Sequence, residues 1–273
     1  MTERVAGAVT DHRFLDESGD TTFYGRGKTM LVGQEGVSRV FSLGMVKLNG
    51  DSNAIRRDLR VLAEQVAADS YFTEVPSVRK RVSKGPFFFH AKDDVPEIRE
   101  KMFKFIKGCD LSVQLCCARK EPPRFVTKHN GDEAEFYADV LGHLLKDKLE
   151  MGKRLVLNIA HRQNSTGNKN LQRALEKAVG YLTRRKTQAA ITTEIVFNVT
   201  TPAQEPILWI ADYLCWAVQR VLERGEVRHY DFIREKVVQA CDLYDKANYT
   251  GGKNYYGPDR PLTAKNKIGP PPP

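Results

Sequence analysis

The sequence predicts an α/β protein whose mixed sheet is flanked by helices. Three observations lead there. Short runs rich in β-branched and aromatic residues recur along the chain. Longer segments between the later runs repeat apolar residues at spacings of three and four. The first two strand-like runs have no helix between them, which favours an antiparallel start to the sheet.

Residues 12–16 (HRFLD) read as a short strand ending in an acid, and residues 17–27 as a Gly-, Ser- and Asp-rich turn. Val40–Leu48 reads as the second strand. Ser52–Ala68 carries Ile55, Leu59, Leu62 and Val66 on one helical face, with Asp51, Ser52 or Asn53 available as its cap. Residues 75–85 form a basic loop, and residues 87–90 (FFFH) a short extended piece that counts as the third strand. Residues 96–107 suit a helix opened by proline. Residues 111–118 read as a strand, and Pro122-Pro123 ends that region. Residues 132–150 form a strong helix, acidic at its start and basic at its end. Two further pairings of run and periodicity follow: strands at 154–161 and 191–199, helices at 168–185 and 205–224. No internal repeat is apparent.

The chain has 273 residues, one large domain or two small ones at roughly 150 residues each. The reading is one α/β domain over residues 1–246 and a flexible, basic, proline-ended tail over 247–273. No apolar run is long enough to span a membrane and no secretory leader precedes residue 13, so a cytoplasmic location is expected. Lys and Arg number 43 against 34 Asp and Glu, a net charge of +9, which favours polyanionic partners. Five cysteines with no C-x-x-C spacing make neither a zinc site nor a disulfide framework. Cys116 and Cys117 are adjacent, so on a strand they point to opposite faces.

The segment FLDESGD is the most informative. Asp16, Glu17 and Asp20 crowd one strand end around the Ser18-Gly19 turn. Like charges held together call for a cation or basic groups, and Mg²⁺ often takes one or two carboxylates together with phosphate oxygens. A solvated acidic turn is the plain alternative. The spacing fits neither an EF-hand loop nor a haloacid-dehalogenase-type phosphatase, and D-x-S-x-D only partly matches an adhesion-type metal site. Further on, Asp212 interrupts the apolar run ILWIADYLCWAV. A buried carboxylate needs a metal, a cation or good hydrogen bonds. Glu205 lies on the same helical face, about 10 Å away along the axis, and equally suits a helix-start acid. Trp209 and Trp216 read as core.

With FLDESGD, Phe89-His90-Ala91 and Ala211-Asp212-Tyr213 in view, the chain resembles the bacterial and phage group called domain of unknown function 3800. The resemblance runs from about Phe14 to Tyr256 and takes in Gln239 to Tyr244. It implies an RNase H-like mixed sheet flanked by helices, and a divalent-metal-dependent nuclease using Mg²⁺ or Mn²⁺. Asp16 and Asp212 match the first-strand and late-helix acids of such enzymes; His90 and Glu17 are candidate catalytic helpers, Asp20 and Glu205 candidate ligands. RNase H-like sites usually place another acid at the end of the central strand. Here that strand ends in Ala160-His161, so His161, His90, Glu133 or Glu135 would have to substitute, or the site is incomplete.

The expected partner is DNA or RNA. Candidate phosphate contacts are Arg79, Lys80, Arg81, His161, Arg162, Arg184 and Arg185, with solvated charge as the plain alternative. His12, His129, His143 and His229 have no partner visible in the sequence. Tail lysines Lys246, Lys253, Lys265 and Lys267, interleaved with Tyr249, Tyr255 and Tyr256, fit single-strand stacking, a disordered tail or a partner-docking segment. Two competing functions stand beside the nuclease: a non-catalytic nucleic-acid binder on a degenerate nuclease fold, and an adhesion-type module, which would want a mostly parallel sheet.

Overall fold

The computed structural model describes residues 10–148, 154–161, 168–183 and 193–269. Among the described residues seven strands form one mixed sheet: β1 (Thr10–Ser18), β2 (Val40–Leu48), β3 (Leu111–Arg119), β4 (Arg154–Ala160), β5 (Glu194–Thr200), β6 (Val237–Leu243) and β7 (Tyr255–Tyr256). Their order is β5-β4-β1-β2-β3-β6-β7. β1, β2 and β3 form an antiparallel meander, with Asp16 opposite Gly44. β4 runs parallel to β1, β5 to β4, and β6 to β3. The α/β class and the antiparallel start are therefore as the sequence predicts.

Helices cover both faces. α1 (Ser52–Ala68), α2 (Ser70–Thr73), α3 (Pro76–Val82), α4 (Pro96–Gly108), α8 (Ile207–Arg224) and α9 (Arg228–Ile233) lie with one apolar cluster. α5 (Pro122–His129), α6 (Glu133–Leu145) and α7 (Asn168–Thr183) lie with the other. Strand residues alternate between the two, Phe14 and Cys117 with the first, Leu15 and Cys116 with the second, as the pleat requires.

Four expectations change. Residues 87–90 are not a strand; Phe87 and Phe89 are buried among helices, Phe89 against Trp209 and Tyr213. The basic loop contains α3, which Pro76 opens and whose Val78 enters the core. Pro122 and Pro123 start α5 rather than end a region. The QACDLY run supplies β6, hidden from pattern reading because VVQACDL does not alternate. The tail is also less detached than expected. Tyr256 pairs with Ala240, Leu262 is buried, and the Ile268 N–H bonds the Leu222 carbonyl at 2.7 Å. Among the described residues no helix is long and apolar enough to cross a membrane.

Candidate functional site

α8 is apolar almost all round because it is buried along its length: residues 207–218 all lie in the core. It packs on β1 and β2, and glycine allows the approach. A Cβ on Gly44 would sit 2.4 Å from the Cys215 sulfur. Cys215 in turn donates to the Asp16 carbonyl at 3.3 Å. Gly19 makes the second close passage. Its φ is +88°, and a Cβ there would meet the Val40 carbonyl at 2.4 Å. The acidic turn is thereby pressed against α8, where Ser18 hydrogen-bonds Gln219.

Between this turn and α8 runs a groove of about 750 Å³. Asp16, Glu17, Asp20, His90, His161 and Asp212 all line it, although they come from four distant parts of the chain. Asp212 is 9% exposed. One of its oxygens accepts the Ala91 N–H at 2.7 Å; the other has no hydrogen bond among the described residues. Burial is the main reason its carboxyl is raised from 3.8 to about 6. His90 and the Ala91 amide pull the other way, and Asp94 and Asp93 add to the rise. The Cys215 thiol is pushed well up, first by burial and then by the charges of Asp16 and Asp212, which flank it.

The turn carrying His90 is held from several sides. Asp94, 1% exposed, accepts the His90 N–H at 2.9 Å, the Tyr213 hydroxyl and the Arg81 guanidinium. Arg81 also donates to the Phe88 carbonyl at 2.8 Å, and Arg99 to the Ala91 carbonyl at 2.7 Å. Adjacent residues Asp212 and Tyr213 thus anchor one turn, the first directly and the second through Asp94. The imidazole of His90 is half-exposed, with Nδ1 3.2 Å from Asp93.

Several predicted residues are committed elsewhere. Asp20 is saturated by the Ser38 N–H (2.7 Å), the Ser38 hydroxyl, the Thr22 N–H and Lys120 (2.7 Å). Burial opposes its charge, but Lys120 and Ser38 outweigh that and hold its carboxyl below the usual value. Glu205 pairs with Arg56 at 2.9 Å and accepts the Ile207 N–H, so it is a helix-start acid outside the groove. Glu133 accepts from Thr21, and Glu135 pairs with Arg173 and Lys177. Arg81 is spent on Asp94, while Arg79 bonds exposed Glu74. Arg79, Lys80 and Arg81 do not line the groove. Arg162, Arg184 and Arg185 lie outside the described residues. In their place the groove presents Lys92 and Arg224, both exposed. The sequence offered one signal for this, the Lys that follows Phe-His-Ala.

Among the described residues no group of three or more His, Cys, Asp or Glu is gathered for a metal ion. The candidate donors are carboxylates on two segments. Mg²⁺ commonly takes one or two protein carboxylates and fills its shell with water and phosphate. The donor set therefore fits a hard divalent ion shared with a bound phosphate, and not a cage built by protein alone. The chain matches no protein-family model and no curated protein.

Proposed function

We propose that the groove hydrolyses phosphodiester bonds of nucleic acid with the help of Mg²⁺ or Mn²⁺, on an RNase H-like fold. The observation that carries this reading is the convergence of Asp16, from the acidic end of a central strand, and Asp212, from a late buried helix, on one groove. Two carboxylates that face one groove are stabilised in their charged form by a cation bound in it. The resemblance to domain of unknown function 3800 points to the same two residues.

In this reading Asp16 and Asp212 hold the ion, Asp212 with the oxygen that Ala91 does not use. A divalent ion there supplies charge stabilisation at a phosphoryl oxygen and lowers the pKa of water. The chain supplies the rest. The half-exposed His90 imidazole moves a proton at the groove wall. The Ala91 amide fixes the orientation of Asp212. Lys92 and Arg224 take phosphates flanking the reacting one. The fixed turn, rather than a flexible loop, keeps these groups in register.

A second reading is favoured by one observation. β4 ends at Ala160 followed by His161, with no acid where a third would stand. A nucleic-acid binder without cleavage follows from that. Calorimetry with Mg²⁺ and Mn²⁺, paired with cleavage assays on DNA and RNA, separates the two. Metal binding and cleavage that both vanish in Asp16→Asn and Asp212→Asn support the nuclease. Salt-dependent binding with no cleavage under either ion supports the binder. Cleavage that survives both substitutions rejects the assignment of the site.

A further inference from the structure

On the sheet face opposite the groove, β3 and β6 place Cys116 and Cys241 directly side by side. Neighbouring strands lie about 4.8 Å apart, inside the range of Cα separations that a disulfide spans, about 4.4–6.8 Å. Both thiols are free and belong to the same buried cluster. Cys117, the next residue, points through the sheet into the other one.

The surroundings of the Cys241 sulfur are unusual for a core cysteine. It accepts from the Cys116 thiol and the Tyr255 hydroxyl, and from the Asn254 amide at 3.7 Å. Tyr255 in turn accepts from the Lys146 ammonium at 2.9 Å. Lys146 is only 7% exposed and has no carboxylate partner among the described residues. A buried ammonium without an anion is costly; a thiolate at Cys241, relayed through Tyr255, is the anion within reach. Donation from Cys116, and to a lesser degree from Tyr255, draws the Cys241 thiol down against the opposing effect of burial. Cys241, which receives the Asn254 amide and adjoins the Tyr255–Lys146 pair, is thus set up as nucleophile and Cys116 as the thiol that answers it. Both cysteines are among the residues that line a cavity of about 20 Å³, room for about one water-sized molecule.

We propose that Cys241 is a peroxide-reactive cysteine and that Cys116 resolves its oxidised form into a reversible disulfide. The Cys241 thiolate attacks one oxygen of hydrogen peroxide. The O–O bond breaks, and the departing hydroxide takes a proton to become water. Cys241 is left as a sulfenic acid. The Cys116 sulfur then attacks the Cys241 sulfur, the S–O bond breaks, and a second water leaves with the Cys116 proton. Two thiols are oxidised and one peroxide is reduced to two waters. The cavity has room for about one water-sized molecule, so hydrogen peroxide, little larger than water, enters more readily than a bulky oxidant.

The test uses the full chain, treated with stoichiometric hydrogen peroxide under native conditions. The expected result is loss of two of the five thiols, a mass decrease of about 2 Da for one disulfide, and a cross-linked peptide pair holding residues 116 and 241. Cys117→Ser leaves the cross-link intact. Cys116→Ser stops at a Cys241 sulfenic acid trapped by dimedone, and Lys146→Met slows the reaction about tenfold. tert-Butyl hydroperoxide reacts at least tenfold more slowly than hydrogen peroxide. Half-buried Cys109 oxidising before Cys241, or a cross-link that uses Cys117, overturns the proposal. So does equal reactivity toward the bulky peroxide. If a Cys→Ser variant fails to fold by circular dichroism, peptide mapping of the wild-type chain still decides.

Discussion

Two aspartates sit on buried helices packed against opposite faces of the same sheet, and they are treated in opposite ways. On α6, Asp139 receives the Lys128 ammonium at 2.8 Å, the His129 imidazole at 3.2 Å and the Tyr244 hydroxyl. On α8, Asp212 receives one amide hydrogen. Both residues are nearly inaccessible. The lesson is that burial alone does not mark a functional carboxylate. A carboxylate surrounded by donors is a tie between elements, here joining α5, α6 and the end of β6. A carboxylate left short of donors beside a groove keeps capacity for a ligand.

The largest expected effect breaks the tie. Asp139→Ala leaves an imidazole and a phenol buried beside an ammonium with no counter-charge. Removing one member of a buried ionic network costs about 3–5 kcal/mol, toward the lower end here because Lys128 can turn to solvent. Urea unfolding should show that loss, and calorimetry should show divalent binding at the groove unchanged. If binding falls along with stability, the two faces are not independent.

Asp212→Asn should move stability the other way. The folded carboxyl ionises at about 6 and the free group at 3.8. Below the lower value both states are protonated and the group is neutral in the balance. Between the two values the unfolded state loses its proton first, so the fold is penalised increasingly. Above the upper value the full penalty holds, roughly 3 kcal/mol at most. Asparagine removes the charge and keeps an acceptor for Ala91. The metal-free variant should therefore exceed wild type in stability near pH 8, converge with it near pH 4, and bind no divalent ion. A destabilised variant at high pH would mean that Asp212 is a tie like Asp139.

Gly44→Ala tests what brings the two groove carboxylates together. The added methyl meets the Cys215 sulfur, so α8 must lift from β2. Overpacking of this kind costs about 1–3 kcal/mol, and the shift separates Asp212 from Asp16. Divalent affinity should fall more than stability does, and Gly44→Ala with Cys215→Ala should recover both. An affinity unchanged by the single substitution removes the close approach from the account.

Much of this was legible in the sequence, for identifiable reasons. Ser52–Ala68 was readable because its period and its Asp51 cap agree with packing, and Val40–Leu48 because a short apolar run buried on both faces reads as a strand. Asp212 stood out because its neighbours are apolar and Asp16 because it ends an apolar run in a crowded acidic turn; their pairing came from the family resemblance, and both line one groove. The role of Asp94 was not, since Asp93 and Asp94 look alike in sequence and only the fold buries one against Arg81 and Tyr213. His129 and Asp139 were unreadable for the same reason: their partner Tyr244 lies over a hundred residues on. Phe87–His90 misled because an apolar run serves a strand or a helix-covering turn equally well.

The smallest expected effect carries the same contrast to the surface. Arg79, Lys80 and Arg81 read as one basic run, yet the fold divides them. Arg81 is 10% exposed and holds Asp94, whereas Arg79 and its partner Glu74 are 64% and 78% exposed. An exposed pair contributes about 0–1 kcal/mol, so Arg79→Ala should shift the urea midpoint barely, if at all. It also lies off the groove. If nucleic acid binds along α8, Arg79→Ala should leave the dependence of affinity on salt unaltered, while Arg224→Ala lowers that slope by about one counterion. A slope reduced by Arg79→Ala and not by Arg224→Ala would move the binding surface from the groove to α3, and with it the case for Asp16 and Asp212 as the reacting centre.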